Sequence, residues 1–502
     1  MHHDDLNSGR GKASSPTIVM SRRAEPVSIL SKLQRKLFAQ VDIASLVFFR
    51  IGFGLLMLRM VKLAWSLDRI AQWWIEPSFL FKYPGFSWVH PWPGNGLYIH
   101  WILLGVFAFF VTVGFLYRIS ATLFFLSHTY FFLLDQGRYV NHTYLICLFS
   151  FLLIFAPAHR AFSVDAWLWP KLRSSTGPAW SLWLLRAQMG VVYFFAGVAK
   201  VAPDWLHGEP IRTWFKEQIR FSVLAPAFHQ EWAAYGASYA SLFIDLLIVP
   251  FLLWRRTRLA AFCIAVIFHL LNAQIFPLDI FPWLAIAATT LFLSPSWPRQ
   301  IISIFRQKKA LPVMHTATLP PRRKRFLILI FVTLYAAIQI LVPLRHFLYS
   351  GGIEWTYMEH RFSWQMMLER HLTRTLFYVT DPNTGREVRV QPGKYLDLQQ
   401  IIHMGWRPDM VWQFSRFLAT KVPRSGPEPV QVQARMYVSV NKRRPQLFLD
   451  PNVDLAVEPR SWGRPPWLLQ IHDPLPPPGQ DFSGDLFGVT MAPNEKPPTQ
   501  NR

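Results

Sequence analysis

Residues 322–344 read RRKRFLILIFVTLYAAIQILVPL, a run of four basic residues followed directly by a long apolar stretch. About 20 mostly apolar residues are needed for an α-helix to cross the hydrocarbon core of a bilayer. Lys and Arg beside such a stretch mark its cytoplasmic end. The segment therefore predicts a transmembrane helix that leaves the cytoplasm near Arg325 and ends at about residue 346.

Similar apolar stretches recur upstream of this one, although several are short or carry charges. The sequence predicts nine spans, one of which could be re-entrant, at residues 43–63, 99–118, 120–135, 143–157, 180–201, 236–254, 258–275, 279–295 and 326–346.

The composition agrees with a membrane protein. The chain has 502 residues, of which 52% are hydrophobic and 16% charged, whereas soluble domains average about 25% charged. A disordered chain, a collagen-like chain and a typical soluble enzyme are therefore excluded. The net charge of +23 can indicate nucleic-acid binding, but the basic residues cluster beside the spans, so we expect membrane lipid and not nucleic acid as the partner. Cys147 and Cys263 lie inside apolar runs, which leaves no disulfide framework.

The basic loops orient the spans. Basic residues crowd the segment 1–42, the short loop Arg255–Arg258 and the loop before the ninth span. With nine spans, all three fall on one side, which the positive-inside rule makes cytoplasmic. We therefore expect a cytoplasmic N-terminus and an exported C-terminal part. Residues 1–42 lack the apolar core of a cleavable signal peptide, so the first span is expected to act as an uncleaved anchor.

The exported part has the pattern of a small β-rich domain. Residues 376–380 and 387–391 flank a turn at 381–385, residues 430–440 alternate as a half-buried strand does, and residues 408–421 fit a short helix. The expected fold class is an α-helical polytopic membrane protein followed by a smaller β-rich exported domain. The predicted divisions are a basic cytoplasmic segment 1–42, a transmembrane domain 43–346, an exported domain 347–464 and a Pro-rich disordered tail 465–502.

Ionisable residues inside spans are costly and usually have a function or a buried partner. The predicted topology places His142, Lys200 and His269 at the exported mouth, with Asn272 and Gln274 beside them. Each also has a plainer interpretation: Lys200 can reach the headgroups, His142 can be an interfacial loop residue, and His269 can bond a backbone carbonyl. The other candidates, favoured as structural ion-pair members or left unassigned, are Arg50, His128, Arg186 and Asp245.

Residues 193–205, YFFAGVAKVAPDW, resemble the central motif of the vitamin K-dependent γ-carboxylase family. Matches follow in order from about residue 40 to 455, and the membrane part resembles the wider HTTM (horizontally transferred transmembrane) family, whose members need not all carboxylate. The other segments that carry the resemblance are 44–50, 133–135, 141–145, 268–274 and 361–367.

The resemblance implies an integral enzyme of a bacterial inner membrane, with reduced vitamin K as cofactor, O2 and CO2 as co-substrates and no metal. It implies that the enzyme is a carbon–carbon lyase with linked epoxidase activity. Lys200 stands at the family's catalytic lysine, which deprotonates the hydroquinone. His142 matches a histidine that stabilises the reacting quinone oxygen, and His269 another functional histidine. The expected cofactor-binding residues are Asn141, Asn272, Gln274 and Met366.

The resemblance is less complete for the residues that contact the peptide substrate than for those that contact the quinone. Where animal members carry a His and an Arg two residues apart near the substrate glutamate, this chain has Glu369 and His371, and Ala199 replaces a second lysine. A glutamyl peptide or protein is the expected substrate, and two alternatives stay open: a quinone epoxidase without carboxylation, and a non-enzymatic HTTM protein. The predicted substrate-binding residues are Arg212, Lys216, Arg361, Glu369, Arg370 and His371.

Overall fold

The computed structural model has a helical membrane domain followed by a smaller domain built on a β-sheet, so the predicted fold class is confirmed. It describes residues 29–219, 225–305, 319–348, 360–461, 463–471, 473–477 and 480–488. Part of the predicted basic loop before the ninth span, residues 306–318, lies outside these ranges, as do residues 1–28 of the basic N-terminal segment.

The helices match the apolar pattern of the sequence closely. In chain order they are α1 Ile29–Phe38, α2 Ala44–Ser66, α3 Gly96–Val113, α4 Tyr117–Leu134, α5 Asn141–Phe155, α6 Val164–Leu168, α7 Ala179–Ala199, α8 Pro203–Leu206, α9 Ile211–Gln218, α10 Ala225–Phe228, α11 Glu231–Leu253, α12 Arg258–Ile275, α13 Phe281–Thr289, α14 Trp297–Phe305, α15 Arg322–Leu344, α16 Leu398–Met404, α17 Pro408–Lys421 and α18 Asp485–Gly488.

Each predicted span overlaps one of these helices. Six of the helices are long and apolar enough to cross a membrane: α2, α3, α7, α11, α12 and α15 with its continuation to Leu348. The apolar helices α5 and α13 are shorter, and α4 carries Arg118 and His128 within 18 residues. The protein is therefore a multi-pass membrane protein, and the count of nine spans stays a prediction.

Close packing between α7 and α11 depends on a glycine. Gly197 of α7 faces Leu246 of α11, and a Cβ atom added at Gly197 would lie 2.7 Å from Leu246 Cδ2 and 3.0 Å from the Leu246 backbone nitrogen. Small residues let membrane helices approach to this extent. Three residues after Gly197 comes Lys200, and one residue before Leu246 comes Asp245, so this contact sets the distance between two charged side chains.

The C-terminal domain contains a four-stranded antiparallel sheet in the order β4-β3-β5-β6. The predicted hairpin is present, and Gly385 in its turn adopts φ +68°, which glycine does without steric cost. The strands of the molecule are β1 Gln40–Asp42, β2 Thr176–Pro178, β3 His371–Asp381, β4 Arg386–Val390, β5 Gln431–Val440 and β6 Gln446–Leu447.

Strand β5 shows the alternation that its sequence predicts. Val432, Ala434 and Met436 are buried, while the residues between them are only partly covered. Their face packs against α17, whose Met410 and Phe414 are fully buried in the same core. The predicted helix at 408–421 has the observed bounds of α17.

The domain is fastened to the membrane part by the loop between α2 and α3. Phe81 of this loop is buried in the core of the C-terminal domain. The fully buried carboxylate of Asp135, at the end of α4, accepts hydrogen bonds from Phe81 N (3.1 Å) and from Gln400 Nε2 (2.8 Å) of α16. Ser78 N donates to Tyr395 O at 2.9 Å. The sheet domain is therefore held against one end of the helical bundle.

The Pro-rich tail differs from its prediction as a segment without a packed core. Trp467, Leu468 and Leu486 are buried, and Leu468 forms a bridge with Leu449 beside the sheet. Proline removes backbone donors, but a few apolar side chains are enough to fix such a segment onto an existing core. Residues 489–502 of the predicted tail lie outside the described residues.

Candidate active site

A cavity of about 610 Å³ lies where the membrane helices meet the C-terminal domain. Its walls are mostly apolar and come from α5, α7, α11 and α12, together with residues 360–367 and 403–407. Ligand pockets commonly have such volumes, and they combine apolar walls with a few placed polar groups. The polar groups of this cavity therefore define the candidate site.

Lys200 directly follows α7, and its side chain is buried on the wall of the cavity. Its Nζ lies 2.6 Å from Asp245 Oδ2 of α11 and 3.4 Å from the carbonyl oxygen of Ala196. The indole ring of Trp205 is 5.2 Å away. Asp245, interpreted from the sequence as a structural ion-pair member, thus pairs inside the cavity with the predicted catalytic lysine.

His269 of α12 is held by a chain of hydroxyl groups. Its Nε2 is 2.7 Å from Tyr193 Oη of α7, which is also 3.4 Å from Thr289 Oγ1 of α13. The His269 Nδ1 is buried and has no hydrogen-bond partner among the described residues. One ring nitrogen is therefore fixed by the protein, and the other has no partner among the described residues.

The first turn of α5 contributes Asn141 and His142. His142 lines the cavity, with its ring 6.3 Å from that of Phe281. The Asn141 side chain donates to Gln365 O (2.9 Å) and accepts from Tyr139 Oη (2.9 Å). Asn141 thus positions the segment that contains Met366 at the cavity. Both ends of the Asn141 side-chain amide are used in these hydrogen bonds.

That segment has an unusual backbone. Phe362, Trp364 and Met367 have φ values of +65°, +61° and +55°, which bulky residues rarely adopt. Trp364 is 1% exposed and packs at 5.1 Å from the ring of Tyr144. This packing holds the strained turn in place, so that Gln365, Met366 and Met367 all line the cavity.

Two known sequence patterns match the chain. The HTTM domain matches residues 38–297, which is more than half of the chain. The lumenal domain of the vitamin K-dependent γ-carboxylase matches residues 324–474. The chain belongs to the vitamin K-dependent γ-carboxylase family. It is therefore a carboxylase-like membrane protein with a domain of the lumenal, exported type. No solved structure matches it.

Of the two remaining residues predicted to bind the cofactor in this γ-carboxylase family member, one lines the cavity and the other does not. Asn272 lines the cavity, and its Nδ2 donates to Phe268 O of the preceding turn at 2.8 Å. Gln274 is exposed and does not line the cavity. Successive helical residues are rotated by about 100°, so two positions along α12 turn the side chain away from the wall.

The predicted substrate-binding residues do not line the cavity. Arg212 is buried with Glu209 (2.6 Å) and also contacts Glu231 (2.8 Å). Arg361 forms an ion pair with Asp409 at 2.9 Å, and Arg370 forms one with Glu217 at 2.6 Å. The other three residues predicted for this role lie away from the lining: Lys216, Glu369 and His371.

The C-terminal domain supplies cavity residues that the sequence analysis missed, namely His360, His403 and Arg407. His403 of α16 lies with its Nδ1 2.5 Å from Gly137 O. These residues carry no periodic signal, because only the docking of the C-terminal domain onto the bundle brings them to the cavity.

Two buried arginines of the membrane domain have structural roles, but not as the predicted ion-pair members. Arg50 donates to the carbonyl oxygens of Ala158 (2.8 Å) and Phe162 (2.5 Å). Arg186 donates to the carbonyl oxygens of Leu291 (2.7 Å) and Leu293 (3.1 Å). Arg50 thus satisfies carbonyl groups of the loop between α5 and α6, and Arg186 satisfies carbonyl groups just after α13. His128 lies beside Thr143 O, outside the cavity.

Proposed function

We propose that the protein couples oxygenation of reduced vitamin K to the addition of CO2 at the γ-carbon of a glutamyl residue, with Lys200 as the base. The observation that carries this proposal is the buried Lys200–Asp245 pair on the wall of an apolar cavity. His142 and His269 on other walls, together with membership of the family, support it.

The cavity fits a reduced naphthoquinone by its chemistry. A flat ring suits the apolar wall of aromatic and methionine side chains, and its two oxygens need hydrogen-bonding groups. The buried, unpartnered Nδ1 of His269 is such a group. The residues that would hold the ring are His142, His269, Asn272 and Met366. When bound, the reduced quinone supplies, through its reaction with O2, the strong base that removes the glutamyl γ-proton.

Lys200 would accept a proton from a hydroxyl group of the ligand. The ammonium form has no acceptor site, so the resting ammonium group must first pass a proton to Asp245 Oδ2, which lies 2.6 Å from Nζ. Asp245 thus orients Nζ and takes up the proton that Lys200 carries in the resting pair. Asp245 is therefore a positioning residue of this site.

Imidazoles would hold the ligand from the opposite side. Tyr193 fixes the ring of His269 through Nε2, which leaves Nδ1 as the ring nitrogen that a ligand would engage. His142 stands at the start of α5, where the backbone amides of a helix favour negative charge on a nearby ligand. Exclusion of water by the apolar walls would protect a strong base from quenching.

We also propose the predicted orientation, with the N-terminus in the cytoplasm of a bacterial cell and the C-terminal domain exported. Lys200, His269 and Asn272 lie at the C-terminal ends of α7 and α12, beside the cavity. The basic loop before α12 and the basic run that begins α15 both lie at the helix ends away from the cavity. Their shared side supports a cytoplasmic location for them.

A quinone epoxidase without carboxylation is the second candidate function. The observation that favours it is that none of the predicted substrate-binding residues lines the cavity. The two functions share Lys200 and differ in whether a glutamyl group is carboxylated.

The test is incorporation of labelled CO2 by the purified full-length protein, given reduced vitamin K, O2 and a glutamyl peptide, with epoxide measured in parallel. We expect both products from the wild type and neither from Lys200→Arg, because a guanidinium stays protonated. Lys171→Arg, at an exposed lysine away from the cavity, is the matched control. Epoxide without labelled peptide would favour the second candidate, and full activity of Lys200→Arg would remove Lys200 from the mechanism.

A further inference from the structure

Arg407 is a buried cation that has no ion-pair partner within hydrogen-bonding distance among the described residues. It directly precedes α17, is 6% exposed and lines the cavity that also contains Lys200. Its Nη1 is fully buried and has no hydrogen-bond partner among the described residues. Buried charged donors are nearly always satisfied, so this nitrogen indicates a ligand with an acceptor group.

The charge balance around Arg407 favours an anion. The neighbouring carboxylate, Asp409, already bonds Arg361 Nη1 at 2.9 Å and Gln136 Nε2 at 2.5 Å. Two guanidinium groups therefore face one carboxylate. Burial lowers the pKa of Arg407 to about 10, so the group remains charged at neutral pH, and the site has an excess positive charge.

The imidazoles near Arg407 add no charge. Burial, and next the charge of Arg407, lowers the pKa of His371 and of His403 to about 3, and it lowers the pKa of His360 well below its usual value. His360 and His403 line the cavity beside Arg407. At neutral pH, Arg407 is therefore the cation that the C-terminal domain presents to the cavity among the described residues.

We propose that Arg407 binds the γ-carboxylate of the glutamyl substrate at the exported end of the cavity. This inference rests on the proposed function, and it names a cation on the wall of the cavity, where none of the predicted substrate-binding residues lies. A guanidinium presents two parallel N–H donors to a carboxylate, which fixes its orientation as well as its charge. Arg361 and Arg370 have the carboxylate partners Asp409 and Glu217 and do not line the cavity, whereas Arg407 lines it without such a partner among the described residues.

The test measures binding of a labelled glutamyl peptide and of its glutaminyl isostere to the full-length protein in lipid nanodiscs. We expect the wild type to prefer the glutamyl peptide by about ten-fold or more, as truncation of buried charge partners suggests. Arg407→Gln should reduce this preference to about two-fold or less. Arg407→Lys should keep part of it, because it retains the charge but loses the paired donors.

Arg416→Gln is the matched control, since Arg416 is an exposed arginine of α17 that stacks on Trp412. It should keep the full preference. The unfolding temperature shows whether each variant is folded. A wild type without preference, or a folded Arg407→Gln that retains it, would overturn the inference.

The two proposals fail in different ways. A preference that depends on Arg407, in a protein that fixes no CO2 and forms no epoxide, would support this inference and overturn the proposed function. Labelled CO2 fixed by wild type and Arg407→Gln with the same KM for the peptide would support the function and overturn this inference.

Discussion

At the scale of single residues, Lys200 and Asp245 depend on each other. Two buried charges stabilise a structure only while both are present, and removing one partner of a buried pair costs about 3–5 kcal/mol. Both side chains are less than one-tenth exposed. The pair is therefore a sensitive point for stability as well as for catalysis.

We predict that Asp245→Asn lowers the unfolding temperature of the purified protein, because it leaves the Lys200 ammonium buried without a counter-charge. Adding Lys200→Met to that variant should restore most of the loss, since no buried charge remains. Thermal unfolding in detergent measures both effects.

The matched control is Asp279→Asn. Asp279 forms a partly exposed pair with Arg69 at 3.1 Å, and such pairs contribute about 0–1 kcal/mol. It should leave the unfolding temperature nearly unchanged. Equal losses from Asp245→Asn and from the double variant would contradict the coupling.

The sequence predicted part of the candidate site because position along a span determines membrane depth. His142, Lys200 and His269 lie at span ends that the predicted topology brings together, and the structure places all three on one cavity. The pairing of Lys200 with Asp245 was not predictable, because it depends on how α7 rotates against α11. Gln274 was predicted wrongly as a cavity residue for the same reason, since membrane depth does not determine which face of a helix meets the cavity.

At the scale of elements, the contact between α7 and α11 positions the base. Gly197→Ala would place a Cβ atom 2.7 Å from Leu246 Cδ2 and 3.0 Å from the Leu246 backbone. A backbone atom cannot move aside as a side chain can, so the helices must separate. We predict that Gly197→Ala lengthens the Lys200–Asp245 pair and reduces epoxide formation by about ten-fold or more, since small misplacements at a reacting centre are costly.

Gly190→Ala tests the same helix pair without the clash. Its added Cβ would lie 3.7 Å from Val249 Cγ1, an ordinary contact. Epoxide formation should stay near the wild-type rate. If both alanine variants lose activity equally, the loss reflects helix packing in general and not the position of Lys200.

Elements with strong local signals matched their predictions. Helix α17 has the predicted bounds, and the hairpin of β3 and β4 forms around Gly385. The described part of residues 465–488 did not match, because its position comes from Trp467 and Leu486 packing on a core formed elsewhere in the chain. Local composition carries no information about such long-range contacts.

At the scale of the whole molecule, the loop before α12 and the basic run that begins α15 lie at the helix ends away from the cavity. We predict that a reporter fused after residue 257 is active only in the cytoplasm, whereas one fused after residue 350 is active only outside it. Enzymatic reporters that work on one side of the membrane measure this directly. A reporter active in the cytoplasm after residue 350 would overturn the proposed orientation and the exported mouth of the site.

Phe81 also constrains how the protein is made. Its ring belongs to the core of a domain whose strands and helices begin at residue 371, so the ribosome delivers this side chain long before the core that receives it. Phe81 therefore has no core to pack into, and its loop stays at the membrane surface, until the last part of the chain has been translocated. For the same reason, the isolated C-terminal domain would have a cavity in its core at the position of Phe81. It is therefore a poor candidate for expression as a separate protein.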